Sequence, residues 1–280
     1  MPAAASPLTA AYARLTEACS GFLAVSLLDP AQPLPGGGGW AGAAGLAEGG
    51  TDLDAFLAWD AAQVLRDHGR PARPDVVASF GLHRYAWPAC LMITVPWFLH
   101  RRVPRLPVTD VSYDRVAGRM AVRPRSFACL PDDPAAALPG AVVVPGEEAL
   151  RGEVRAAVAE HLEPVLAAFG PRMRRRGRAL WGMATDEVVE GLWYVAGVLG
   201  RAEEARAVRE LELLLPGATE PYVGSAAFRE PTGPDGRPLP TRDRASCCMF
   251  YTVDPEGTCA TCPRTCDGDR IGKLRTAAAA

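Results

Sequence analysis

Apolar residues recur at helical spacing over most of the chain. Leu8, Tyr12, Leu15 and Phe22 mark an opening helix that runs into a short strand around 22–28. Leu53, Phe56, Leu57, Ala61 and Val64 form the stripe of a second helix, capped by Thr51 or Asp52 and reaching Leu65, with Gly69 as its stop. Asp75 opens a third and very apolar segment, which Pro88 is expected to kink or divide. Leu150, Val154, Val158, Leu162 and Val165 follow the acidic start Gly146-Glu147-Glu148, and Gly170-Pro171 should close that helix. Ala179–Leu199 is apolar almost throughout, and Arg201–Leu215 is a last, charge-rich helix. Between 108 and 144 the period changes, with β-type runs at Val111–Val116, Met120–Val122 and Val142–Val144 broken by glycine and proline. The pattern predicts an α+β fold: a mainly helical body with a small antiparallel sheet inserted among the helices.

Glycines and prolines punctuate the rest. Gly37-x-Gly39-x-x-Gly42 has the form of a dinucleotide fingerprint, but Pro30, Pro33 and Pro35 deny it the strand that motif needs, so it reads as a flexible surface loop. A proline- and glycine-rich connector follows the last helix. The predicted organisation is a body at 1–215, a connector at 216–243, a cysteine-rich segment at 244–270 and a tail at 271–280.

Charge and composition narrow the function classes. With 280 residues and a formal net charge of −2, the chain has no global attraction to nucleic acid or anionic membrane. The densest basic run, Arg172 to Arg178, lacks the interleaved aromatics of a nucleic-acid reader and reads as a solvated linker. Ala86–Leu99 is the most hydrophobic stretch; it falls short of the ~20 residues a spanning helix needs and holds Pro88 and Pro96. The first residues, Met1 to Pro7, show no basic start followed by an apolar block. A cytoplasmic protein without a membrane span is expected.

Cysteine usage changes the picture most. Five of the eight cysteines lie between Cys247 and Cys266, while Cys19, Cys90 and Cys129 are scattered. Such crowding serves a disulfide knot, a zinc site or an iron–sulfur cluster. The first four read C-C-x10-C-x2-C. The vicinal pair is an awkward chelate for one tetrahedral zinc, whereas a two-iron core accepts thiolates from a wider range of directions.

Arg244-Ala245-Ser246-Cys247-Cys248-Met249-Phe250-Tyr251, with Cys259-Ala260-Thr261-Cys262-Pro263, resembles the C-terminal [2Fe–2S] segment of the FhuF-type ferric-siderophore reductases. The resemblance implies that Cys247, Cys248, Cys259 and Cys262 hold the cluster, and it gives Cys266 no role. More loosely, the stretch around Arg84 to Pro88 and Leu180-Trp181-Gly182 are similar to the same family, with Met183 standing where an asparagine is expected.

The implied activity is a one-electron reduction of a ferric siderophore of hydroxamate type. A ferredoxin or flavoprotein reductase would supply electrons, since no convincing nicotinamide or flavin fingerprint is present. Arg244, Arg264, the Ser246 hydroxyl and the amides of residues 258–261 are candidates to tune the site. Arg84, Arg172 and Arg174 are candidates for binding substrate. His83 and His100 are read as local hydrogen-bonding groups on a helix. Two other classes fit the cysteines: a [2Fe–2S] redox or iron sensor without turnover, and a zinc-stabilised siderophore-binding or adaptor protein.

Overall fold

The structure is a computed structural model that describes residues 6–279. The reading of the first five residues as no export signal, and the last residue of the tail, lie outside the described residues.

The helices form the bulk of the molecule: α1 (Thr9–Ala18), α2 (Ala43–Glu48), α3 (Thr51–His68), α4 (Pro74–His100), α5 (Glu147–Met173), α6 (Gly177–Leu199), α7 (Arg201–Leu214) and α8 (Asp267–Ala279). At the centre is α4, buried on nearly every side and packed by α1, α3, α5 and α6. A helix that is apolar all round has to be enclosed by others, and that fixes its place in the fold. Pro88 and Pro96 lie within it, so the expected division at Pro88 does not occur. Proline removes one ladder bond, but the apolar neighbours of α4 hold its course.

α3 starts at Thr51, with Gly50 in the cap position, and ends on Gly69 in the left-handed conformation, as the glycine stop predicts. α5 runs past Gly170-Pro171 to Met173 before Arg174 turns left-handed. The basic run is therefore a helix end and a tight turn rather than a long linker.

Among the described residues, nine short strands form three sheets. The first has the order β1 (Ala24–Leu27), β5 (Arg119–Val122), β4 (Val111–Asp114), β2 (Trp40–Gly42). β5–β4 and β4–β2 are antiparallel, whereas β1 joins β5 in parallel with Val25 opposite Met120. The residues that read as a surface loop thus include a strand, Trp40–Gly42, which Gly37–Gly39 deliver through left-handed turns. Gly118 has φ +63°, and a Cβ there would lie 2.1 Å from the Phe22 carbonyl oxygen, so only glycine lets the β4–β5 turn approach the start of β1. The second sheet sets β3 (Val103–Pro104) against β6 (Phe127–Cys129) in antiparallel pairing and β6 against β7 (Ala141–Val143) in parallel. The third is the two-residue antiparallel pair of β8 (Phe228–Arg229) and β9 (Thr241–Arg242) inside the connector. Tyr222, Ala226, Thr241 and Arg242 of that stretch are buried. No helix among the described residues is long and apolar enough to cross a membrane.

Candidate cluster site

α6 carries three acids on one side, Asp186, Glu187 and Glu190, in an otherwise apolar helix. Buried carboxylates need partners, and the chain just before the cysteines supplies them. Asp186 is fully buried; it accepts hydrogen bonds from Arg242 Nη2 (2.9 Å), the amides of Ala245 (2.9 Å) and Ser246 (2.8 Å), and the Ser246 hydroxyl (2.6 Å). Arg242, also fully buried, donates to Glu190 (3.0 Å) and to the Ala226 carbonyl (3.0 Å). The segment passes close to α6 at Gly182, where a Cβ would sit 3.4 Å from the Ala245 carbonyl oxygen, in ordinary van der Waals contact. Of Leu180-Trp181-Gly182, Gly182 faces Ala245 and Trp181 packs edge-on against Tyr222, while Met183 beside them is buried.

Beyond Ser246 the chain crosses to α3 and α4. Ser79 donates to the Cys248 carbonyl (3.0 Å), and Arg70 donates to the Val253 carbonyl. Met249 takes the left-handed conformation and, with Val253, packs against Val64, Val76 and Phe80. Phe250 lies against Phe80 and His68, with ring centroids 5.9 and 5.7 Å away. These contacts form a second, small apolar core belonging to the cysteine segment.

The result is a cavity of about 350 Å³ lined by Cys247, Cys248, Cys259 and Cys262. His68, Phe80, His83, Arg84, Arg244 and Phe250 complete most of its wall. Cys266 does not line it; its thiol is exposed and donates to Asp269 at 3.2 Å. Cys19, Cys90 and Cys129 are buried elsewhere in the core. Among the described residues, no three His, Cys, Asp or Glu side chains are grouped tightly enough to hold a single metal ion. The four thiols share one cavity, and a soft sulfur donor set suits an iron–sulfur core.

The electrostatics of the wall come from α4 and α6. Burial works against the Arg244 charge, but Glu187, Asp186 and Glu190 outweigh it and hold the guanidinium protonated beyond the ordinary arginine range. Burial pushes the Cys248 thiol up, against the Phe250 amide and Arg244, which favour the thiolate. Glu187 raises the affinity of His83 for a proton, and burial only partly offsets this. The His83 Nδ1 lies 2.7 Å from Glu187 Oε1, so His83 bonds across to α6 and is not confined to its own helix. His100 at the end of α4 is lowered by burial.

Other candidates separate as follows. The Ser246 hydroxyl is committed to Asp186, while the Met249 amide donates to Cys247 Sγ (3.4 Å) and the Thr261 hydroxyl to Cys259 Sγ (3.7 Å). Arg264 stacks over Tyr251 at 4.1 Å and lies outside the cavity wall, whereas Arg244 lines it. Of the three arginines considered for substrate, Arg84 lines the cavity. Arg172 pairs with Asp54 at 2.7 Å, and Arg174 lies in a separate groove at the α5–α6 turn.

The acids of α6 were missed as site residues. Their signal was present: charged residues inside an apolar helix have to be buried and paired.

Residues 244–264 match the family model of the FhuF 2Fe-2S C-terminal domain. No curated protein and no solved structure matches the chain. The cysteine-lined cavity is therefore built on a segment that is similar, over residues 244–264, to the [2Fe–2S]-binding C-terminal domain of the FhuF type.

Proposed function

We propose that this iron–sulfur protein is a cytoplasmic ferric-siderophore reductase whose cluster ligands are Cys247, Cys248, Cys259 and Cys262. The observation that carries the reading is that these four thiols line one cavity, and Cys266 does not. A bound [2Fe–2S] cluster supplies single electrons, which matches the one-electron step from Fe(III) to Fe(II). Hard oxygen donors hold Fe(II) far less tightly than Fe(III), so one delivered electron loosens the chelate.

The chain's own residues set the conditions. Asp186 and Arg242 fix the backbone that presents Cys247 and Cys248. Arg244 brings a buried positive charge to the wall of a site that gathers four thiolates. The Met249 amide and the Thr261 hydroxyl stabilise negative charge on sulfur. Phe80 and Phe250 keep water from one side of the cavity. A ferredoxin or flavoprotein reductase is the proposed electron donor, and hydroxamate siderophores are the proposed substrates.

The test is anaerobic purification with iron, zinc and acid-labile sulfide counted, then turnover with a ferric trihydroxamate and a low-potential reductant. Equal iron and sulfide, as a [2Fe–2S] core requires, together with steady Fe(II) release, is the expected result. A single zinc, or a cluster that is reduced once and never reoxidised by any ferric chelate, would sink the reductase.

A further inference from the structure

His83 and Arg84 line not one cavity but two. On the other side of them is a second cavity of about 390 Å³, walled by Phe22, Trp87, Tyr113 and Tyr194. Its size falls in the range of small-molecule sites.

Three of the rings that line it form a mutual cluster, with centroids 6.1 Å apart for Phe22–Trp87, 6.0 Å for Phe22–Tyr194 and 5.9 Å for Trp87–Tyr194. Phe22 and Tyr194 are each 47% exposed although they pack against each other and Trp87. They come from different elements: Phe22 precedes β1, Trp87 is on α4 and Tyr194 is on α6. Such a collar offers apolar, weakly polarised walls without closing over itself.

Charge narrows what the collar can take. Arg84 and Arg115 both face Asp60, at 3.4 and 2.9 Å, so two guanidiniums share one carboxylate and one formal positive charge remains. His83 is matched by Glu187, which also faces Arg244 at 3.9 Å. A trianionic tris-catecholate would bring three charges to one cation. A tris-hydroxamate complex of Fe(III) is neutral and needs no counter-ion, only donors for its oxygens and apolar contact for its linkers.

We infer that the Phe22–Trp87–Tyr194 collar, with Arg84 lining the same cavity, is the docking site for a neutral ferric tris-hydroxamate. The inference rests on the reductase reading, which supplies the substrate class. The shared residues His83 and Arg84 put the docked chelate next to the cysteine-lined cavity.

Gallium(III) has the charge of Fe(III) and is not reduced under these conditions, so it reads binding apart from turnover. Gallium(III) desferrichrome, a neutral trihydroxamate complex, is titrated by calorimetry into the cluster-loaded protein, and trianionic gallium(III) enterobactin is titrated in parallel. The neutral complex is expected to bind at least tenfold more tightly than the trianionic one. Phe22→Ala with Tyr194→Ala should weaken it at least tenfold while the visible spectrum stays that of the wild type, and Tyr194→Phe should keep most of the affinity. Unchanged binding in the double variant, tighter binding of the trianionic complex, or no binding of the neutral complex to wild type would each overturn the docking site. Turnover of ferric desferrichrome is measured separately. Its absence in wild type would remove the reductase reading even if the titrations located the site, and its presence with unaffected titrations would remove only the site.

Discussion

Asp186 gathers four hydrogen bonds from the chain that leads into Cys247 and has no contact with solvent. Asparagine in its place keeps the size but loses the charge, and presents N–H groups where donors already point. Removing one partner of a buried pair generally costs about 3–5 kcal/mol. Asp186→Asn is expected to lower the urea midpoint and to yield protein with less iron than wild type; normal iron and an unmoved midpoint would show that the pairing matters little. The cysteines allow a cleaner contrast at the same scale. Cys248→Ser should abolish or severely reduce cluster content, because Cys248 lines the cavity with Cys247, Cys259 and Cys262. Cys266→Ser should leave iron and sulfide per chain unchanged, because its thiol lies outside and bonds to Asp269. Loss of cluster in Cys266→Ser would move that residue into the ligand set.

At the scale of elements, the cysteine segment is held by two separate attachments, the acids of α6 and the small apolar core on α3 and α4. Phe80 is central to the second, touching Phe250 and packing with Met249 and Val253. Phe80→Ala should loosen that attachment by about 3 kcal/mol, at the low end for a buried aromatic because this core is small. Limited proteolysis should then cut within residues 244–263 several-fold faster while far-UV helicity is unchanged; equal cleavage rates would show that the α6 anchor suffices alone. The same two attachments show what could be read without coordinates. The vicinal cysteines and the C-x-x-C pair are local, so spacing and resemblance reached them. Asp186 lies about sixty positions before Ser246, and no local period links the two. The parallel pairing within the sheet was out of reach for a similar reason: residues 24–27 pair with 119–122, a partner 95 positions away, and Trp40–Gly42 is strand where β4 receives it. Pro88 does not divide α4, because proline's local penalty is outweighed by burial against four other helices.

For the whole molecule, stability should depend on pH through a group far from the cluster. His161 on α5 is buried beneath α4; its Nδ1 donates to the Leu106 carbonyl (2.6 Å) and its Nε2 lies 2.7 Å from the Tyr85 hydroxyl. That arrangement fixes the neutral tautomer, with Nε2 accepting from Tyr85. Burial lowers its proton affinity, and the Leu106 bond and the nearby Glu160 compensate only in part. In the unfolded chain the same imidazole takes a proton near its ordinary value of about 6.5. Its contribution to stability is therefore complete above that pH, and it is lost as the pH falls from there toward the depressed value of the folded state. Asp60 acts in the opposite sense: burial raises its carboxyl to about 6 despite Arg115 and Arg84, so it favours the folded state increasingly as the pH falls below that value. The two windows overlap, and only a difference between variants separates them. His161→Gln removes the titrating group, and its urea midpoint should fall less than that of wild type between pH 7.5 and 5.5. Asp60 is unchanged in both proteins and cancels in the comparison. Identical pH slopes would mean that His161 accepts its proton inside the fold, with Tyr85 turning to accept the new N–H, and that the contact joining α4, α5 and the Leu106 loop tolerates the charge.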